Sequence, residues 1–288
     1  MTYNRRCHTV PVASPRSLLF APGSDEHKLR RTLQTGADAV IADLEDAVAP
    51  ARKDEARALV MRVLEEEQSA AATMVRVNGM DSPHFERDFE LVQRLPLQAI
   101  VLPKATPESV DALGRGGPPV IAIVETAQGL RRAYETASHP RVEALILGAV
   151  DLGLELGLES RPDGQEGLLA RSMLVLDSAA AGIRGPFDRV HLDVRDGEGL
   201  EAECRLARSL GLRGKACIHP AQVEIVNAVF SPEDYELARA WQIVESYAQG
   251  IAEGRGAVAL DGEMIDLPVV ERARRLIADN KRRVLDAD

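Results

Sequence analysis

Apolar and polar positions alternate along the chain in two rhythms. Short β-branched, apolar runs recur at 17–21, 39–43, 74–78, 99–103, 120–126, 144–147, 189–194 and 215–219. Between them lie amphipathic stretches at 26–35, 53–66, 85–95, 168–181 and 199–210, with apolar residues three and four apart. Strands that are apolar on both faces need cover on both faces, and intervening helices supply it when the strands pair in parallel. Eight such units in about 200 residues predict an α/β fold, a closed (β/α)₈ TIM barrel over 14–230. A doubly wound open sheet is the competing arrangement. No Gly-x-Gly-x-x-Gly follows the first run, which weakens the dinucleotide-binding form of that fold.

The remainder, 231–288, reads as a C-terminal helical extension. Ser231 before Pro232 predicts an N-cap, with the helix running through Tyr247. Three glycines between Gly250 and Gly256 break that pattern, and 257–266 predicts a turn between two short extended pieces. A last helix is expected from about Pro268, fading into Lys281-Arg282-Arg283. Coil is expected over the N-terminal dozen residues and over 160–165, and no internal repeat is visible beyond the βα rhythm.

Composition narrows the function. Among 288 residues, 35 Lys and Arg stand against 45 Asp and Glu, a net charge of −10. That balance argues against general nucleic-acid binding, although it leaves room for a local basic pocket that takes an anionic small molecule. A 45% hydrophobic content supports a sizeable core. No apolar run approaches the roughly 20 residues of a membrane span, and no signal-peptide pattern opens the chain, so a cytoplasmic location is expected. Cys7, Cys204 and Cys217 are odd in number and share no metal-ligand spacing, which predicts reduced thiols.

In a parallel barrel the C-terminal strand ends converge on one rim. Here that rim carries Pro22-Gly23, Asp43, Glu45, Asp46, Arg76, Asn78, Lys104, Glu125, Asp151, Asp193 and His219. So many carboxylates at one mouth repel one another unless a cation joins them, and paired oxygen ligands suit Mg²⁺. Glu125 and Asp151, after consecutive strands, are the natural pair. Arg76, flanked by β-branched residues, needs an anionic partner: either the acidic rim itself or a substrate carboxylate or enolate oxygen held by its fork. Lys104 could form an imine, yet beside so many carboxylates an electrostatic role is favoured. Lys28 and Arg31 share a helix face after the Gly23-Ser24 turn, a pattern common to phosphate sites and to exposed amphipathic helices. His219, just before Pro220, is read as structural.

Several segments carry a family resemblance. Arg16 through Gly23, Gly36 through Val48, Val75-Arg76-Val77-Asn78, Leu102-Pro103-Lys104, Val124 through Leu130 and Ile218-His219-Pro220-Ala221-Gln222 together resemble the citrate lyase β-subunit family. The likeness runs from about residue 16 to 277. This family sits among metal-dependent aldolases with a phosphoenolpyruvate-binding-type barrel and includes citryl-, malyl- and citramalyl-CoA lyases. The segments 190–200 and 262–268 resemble stand-alone citramalyl-CoA lyases.

The resemblance implies roles residue by residue. Glu125 and Asp151 match Mg²⁺ ligands, and Arg76 matches the arginine that binds substrate and steadies the enolate. Phe20, Lys28 and Arg31 fall in the segment that holds CoA, and Asp193 in another substrate-contacting segment. Asp266 matches a C-terminal aspartate that serves as catalytic acid/base in a neighbouring subunit's site, so a homo-oligomer is implied, a trimer or a multiple of one. The implied reaction is Mg-dependent cleavage, or formation, of a β-hydroxyacyl-CoA or acyl-carrier thioester to acetyl-CoA and a 2-oxo acid. A metal-dependent aldolase acting on free 2-oxo acids, a malyl-CoA-type thioesterase and a non-catalytic subunit that binds acyl carriers or partner chains are the alternatives. Leu147 through Gly153 departs from the Phe- or Gly-rich sequence of many relatives, which leaves the acyl group open.

Overall fold

The computed structural model describes residues 14–67, 69–159, 161 and 163–287. It divides into one unit spanning Pro15–Phe230 and a second that holds the chain from Ser231 onward. In the first, eight parallel strands pair in chain order: β1 (Ser17–Pro22), β2 (Ala39–Asp43), β3 (Ala72–Arg76), β4 (Ala99–Leu102), β5 (Val120–Val124), β6 (Val142–Leu147), β7 (Phe187–Asp188) and β8 (Gly214–Cys217). Pairing of β8 with β1 closes the barrel. Around it run α1 (Glu26–Leu33), α2 (Lys53–Glu66), α3 (Phe85–Val92), α4 (Pro107–Ala112), α5 (Ala127–Arg131), α6 (Ala133–Ser138), α7 (Ala149–Leu156), α8 (Leu168–Ala181), α9 (Gly197–Leu210) and α10 (Ala221–Phe230). The expected TIM barrel is therefore the observed fold.

The strands are apolar throughout because both faces are buried. Alternate residues such as Leu18, Ile41, Met74, Val101, Ile123 and Phe187 fill the barrel interior. Their neighbours Val40, Val75, Ile100 and Leu145 pack outward against Leu29, Val60, Leu91 and Leu174 of the helices. Cys204 and Cys217 are free and buried, whereas Cys7 and the N-terminal coil region lie outside the described residues. Residues 160 and 162 of the second expected coil also lie outside them, and Gln165–Gly167 forms a 3₁₀ turn. No described helix is long and apolar enough to cross a membrane.

The seventh strand is a correction. It is the two-residue Phe187–Asp188, not 189–194. Phe187 pairs with Ile146 and Gly214, and Asp188 with Lys215. Beyond it Arg189 turns to Glu166 at 2.9 Å and Glu203 at 2.5 Å, so the alternating sequence that follows is loop. Asp188 faces the helices and is fully buried. It takes Arg171 Nε at 2.7 Å and Lys215 Nζ at 2.8 Å.

Burial pushes the Asp188 carboxyl upward, but Lys215 and Arg171 outweigh it and hold the group at about 2. An unfolded Asp titrates near about 3.9. The stabilisation is thus complete above about pH 4 and is lost as pH falls through about 2. Asp188→Asn leaves two buried cations short of an anion, and urea titration at neutral pH is expected to show a loss of about 3–5 kcal/mol.

The second unit contains α11 (Asp234–Ala252), the antiparallel strands β9 (Val258–Leu260) and β10 (Glu263–Ile265), and α12 (Leu267–Ala287). The N-cap of α11 is Glu233 rather than Ser231, because the Glu233 N–H donates to Glu236 Oε2 at 2.8 Å. The helix also runs past Tyr247 to Ala252. The hairpin turns on Asp261 (φ 51°) and Gly262 (φ 84°), the left-handed pair that matches strand twist in a two-residue turn. Ile265 packs on Tyr247 and Val270, which fixes where Asp266 enters α12.

Candidate active site

The barrel mouth is organised around one arginine. Asp43 and Arg76 end adjacent strands in direct register. The Arg76 fork meets Asp43 through Nε to Oδ1 at 2.7 Å and Nη2 to Oδ2 at 2.6 Å. The same Asp43 carboxylate accepts the N–H groups of Glu45 at 2.8 Å and Ala47 at 3.1 Å, which folds the loop after β2 back over the strand end. Glu45 Oε2 and Asp46 Oδ2 consequently stand 3.1 and 3.3 Å from Arg76 Nη1. The Glu45 approach is an ion pair without hydrogen-bond alignment, and that oxygen is buried with no other partner. Arg76 Cζ stands over the face of the Phe20 ring, 5.1 Å from its centroid, a cation–π contact. Burial opposes the charge on Arg76, yet Asp43, Glu45 and Asp46 raise its pKa overall.

Glu125 follows β5 immediately and is buried. Its Oε1 accepts the Lys104 N–H at 2.7 Å. Lys104 delivers that N–H from a left-handed backbone, φ 48°, which a side-chain-bearing residue adopts at a cost. Lys104 Nζ is 3.8 Å from Glu45 Oε1, an electrostatic contact from a half-exposed side chain. Asp151 sits in the first turn of α7, three residues beyond Gly148 at the end of β6, rather than on the strand end. Burial first, then the charges of Asp151 and Asp46, push the Glu125 carboxyl up to about 7 against the Lys104 N–H. Glu45 is also pushed to about 7, chiefly by burial, with Arg76 opposing.

This donor set suits a small divalent cation. A Glu125 carboxylate pressed toward protonation by burial and by the neighbouring charges of Asp151 and Asp46 gains from a cation beside it, and Mg²⁺ takes one or two carboxylates and completes its shell with water and substrate oxygens. Among the described residues no group of three or more His, Cys, Asp or Glu forms a closed cage. Gly148 clears the space: a Cβ there would lie 2.3 Å from Glu125 Cβ and 2.7 Å from Oε2. Gly148→Ala is expected to displace the carboxylate and, since a misplacement near 1 Å costs about 100-fold, to lower kcat by that order. Calorimetric Mg²⁺ titration of the variant should show weakened binding alongside.

The structure therefore gathers Arg76, Phe20, Glu125 and, electrostatically, Asp151. It does not bring Lys28 or Arg31 to Arg76: both are exposed on α1, with Lys28 Nζ 3.3 Å from Asp25. Asp193 lies in the exposed loop after β7, where its Oδ1 accepts the Arg195 N–H at 2.9 Å. Asp266 belongs to the second unit and caps α12, its carbonyl accepting the Val270 N–H at 3.1 Å. His219 Nδ1 accepts the Ala221 N–H at 3.2 Å, a structural contact. Asp43 and Glu45 are legible as rim acids and the acidic rim as a partner for Arg76, but not that Asp43 is the one its fork grips. The available signal was an arginine and an aspartate ending consecutive strands.

Comparison with known proteins gives a consistent set of likenesses. The family described as HpcH/HpaI aldolase/citrate lyase matches residues 16–220, and a C–C bond lyase of the TIM-barrel fold matches 175–268. A (3S)-malyl-CoA thioesterase of Cereibacter sphaeroides is 38% identical over 267 residues, 91% of this chain and 93% of its own. A citrate lyase subunit beta of Leuconostoc mesenteroides is 34% identical over 278 residues, covering 91% and 92%. Among solved structures, CitE of Mycobacterium tuberculosis in complex with magnesium, acetoacetate and coenzyme A superposes with a TM-score of 0.80 at 34% identity, over 93% of this chain and 98% of that one.

Proposed function

Because the chain belongs to the HpcH/HpaI aldolase/citrate lyase family, we propose that it is a carbon–carbon lyase acting on a β-hydroxyacyl-CoA thioester such as citramalyl-, malyl- or citryl-CoA. The observation that carries this reading is the Arg76 guanidinium, anchored by its fork on Asp43 with Nη1 left at the mouth that Glu125 shares. In the cleavage direction the Cα–Cβ bond breaks and its electron pair becomes a thioester enolate. The hydroxyl loses its proton to solvent as the 2-oxo acid forms, and the enolate carbon then takes a proton to give acetyl-CoA.

Arg76 Nη1 is the donor for the developing enolate oxygen, held rigid so that no reorganisation is needed as charge appears. Glu125 and Asp151 would hold Mg²⁺, which supplies Lewis acidity to the substrate hydroxyl and carboxylate. Phe20, Lys28 and Arg31 would take the CoA moiety, the two exposed cations meeting its phosphates, and Asp193 would contact substrate from the β7 loop. Asp266 would give the proton to the enolate carbon of a neighbouring subunit, which makes the active form a homo-oligomer, a trimer or a multiple. Mixing inactive Asp266→Ala chains with inactive Glu125→Gln chains tests that sharing: exchanged oligomers should regain activity, and exchange without recovery would end it.

A second reading is hydrolysis of the thioester, favoured by the 38% identity to a protein named (3S)-malyl-CoA thioesterase. Assaying citryl-, malyl- and citramalyl-CoA for both 2-oxo acid and free thiol separates the two. Lyase action releases 2-oxo acid and leaves the thioester intact in acetyl-CoA. Free CoA without 2-oxo acid would replace the lyase reading with the thioesterase one.

A further inference from the structure

Beside the mouth lies a cavity of about 800 Å³, bounded in part by Glu45, Asp46, Asn78, Met80, Lys104 and one buried lysine, Lys53. Lys53 is the first residue of α2, directly after Arg52. A cation there opposes the helix dipole, and burying it adds a desolvation cost, so local preference does not explain the residue. Its contacts do. Nζ donates to the Leu44 carbonyl at 2.6 Å and to the Glu45 carbonyl at 2.7 Å. No carboxylate lies at ion-pair distance from it among the described residues. Burial lowers its pKa overall, and Asp43, Asp88, Glu45 and Asp46 offset part of that from further away.

The loop after β2 is thus gripped from both sides. Asp43 accepts its N–H groups at Glu45 and Ala47, and Lys53 donates to its carbonyls at 44 and 45. Asn78 Nδ2 adds a third hold on Leu44 O at 2.9 Å, and is itself set by Asp88, which pairs with Arg57 at 2.7 Å. We propose that Lys53 is a positioning residue for the reaction: its ammonium clamps the backbone of Leu44 and Glu45 and so holds the Glu45 and Asp46 carboxylates on Arg76 Nη1. Two acidic groups side by side on one guanidinium edge repel each other, and without Lys53 the Leu44 carbonyl would keep only Asn78 Nδ2 and the Glu45 carbonyl only the Val48 N–H at 3.0 Å, a looser hold against that repulsion. The Asp43 fork already fixes the guanidinium plane, and the clamp adds to it a fixed place for the two carboxylates that flank Nη1.

This rests on the lyase reading for its kinetic test, so a second readout needs no substrate. Lys53→Met keeps the volume and removes the donors. It is expected to remain folded by circular dichroism and to lose kcat about 10–100-fold with KM little changed, because an orienting group is lost rather than a binding one. In the free protein, hydrogen exchange at the Glu45 and Ala47 amides should accelerate while that of the barrel strands stays as in the wild type. Lys53→Cys treated with 2-bromoethylamine regains an ammonium at nearly the native length and should recover kcat, whereas uncharged alkylation of the same length should not. Wild-type kcat and unchanged exchange in Lys53→Met would overturn the proposal, as would equal recovery with the uncharged group. If the wild type lacks lyase activity the reaction reading falls, and the exchange experiment still decides whether Lys53 clamps the loop.

Discussion

Replacing Arg76 by lysine is expected to lower kcat/KM by about 100–1,000-fold, the cost of losing a pre-aimed oxyanion donor. Charge is conserved in this change, so a purely neutralising role would tolerate it. The geometry does not. Arg76 spends Nε and Nη2 on Asp43, at 2.7 and 2.6 Å, and its Nη1, 3.1 and 3.3 Å from Glu45 and Asp46, is the edge proposed to meet substrate. An ammonium has its three donors at one point and cannot lie bidentate on Asp43 while reaching a substrate oxygen from the far edge. Steady-state kinetics with the preferred CoA thioester check this, and a fully active Arg76→Lys enzyme would reduce Arg76 to an ion-pair partner of the rim.

The other large effect concerns Glu125. Changing it to Gln keeps the shape and the contact with the Lys104 N–H but removes the negative charge. Mg²⁺ affinity should fall by more than the roughly 10–100-fold typical of outer-shell changes at metal sites, and metal-dependent activity should fall with it. The wild-type affinity should also carry a pH signature. Without metal, burial and Asp151 push the Glu125 carboxyl to about 7. Mg²⁺ binding must therefore displace a proton below that pH, so affinity climbs as pH rises through about 7 and levels off above. Calorimetry across that range measures both slope and plateau; equal affinities in the wild type and Glu125→Gln would take the carboxylate out of the metal site.

The barrel was legible because each βα unit announces itself locally, by a both-faces-buried apolar run and then a helical period. Where local pattern and long-range pairing disagree, the sequence misleads. The run 189–194 alternates like a strand, yet the strand is Phe187–Asp188, chosen by the burial of Asp188 between Lys215 and Arg171. Ser231-Pro232 has the composition of a helix start, but the reciprocal contact of Glu233 with Glu236 places the start later. At the site, Arg76 and Glu125 stood out because each is a charged group among apolar residues. An acidic-rim partner for Arg76 was legible too, but its identity as Asp43 was not, nor was the grip of Lys53 on Leu44 and Glu45. The first depends on the register of β2 with β3, and the second on how a helix start tucks under a loop, and neither leaves a periodic trace.

If the carbon–carbon bond breaks through a thioester enolate, the acetyl product must take up a proton at carbon. Turnover in D₂O, followed by mass spectrometry of the products, tests it most directly. Cleavage through an enolate that takes its proton from an exchangeable acid predicts acetyl-CoA carrying one deuterium on its methyl carbon, formed together with a 2-oxo acid. Free CoA with an undeuterated hydroxy acid and no 2-oxo acid would contradict it.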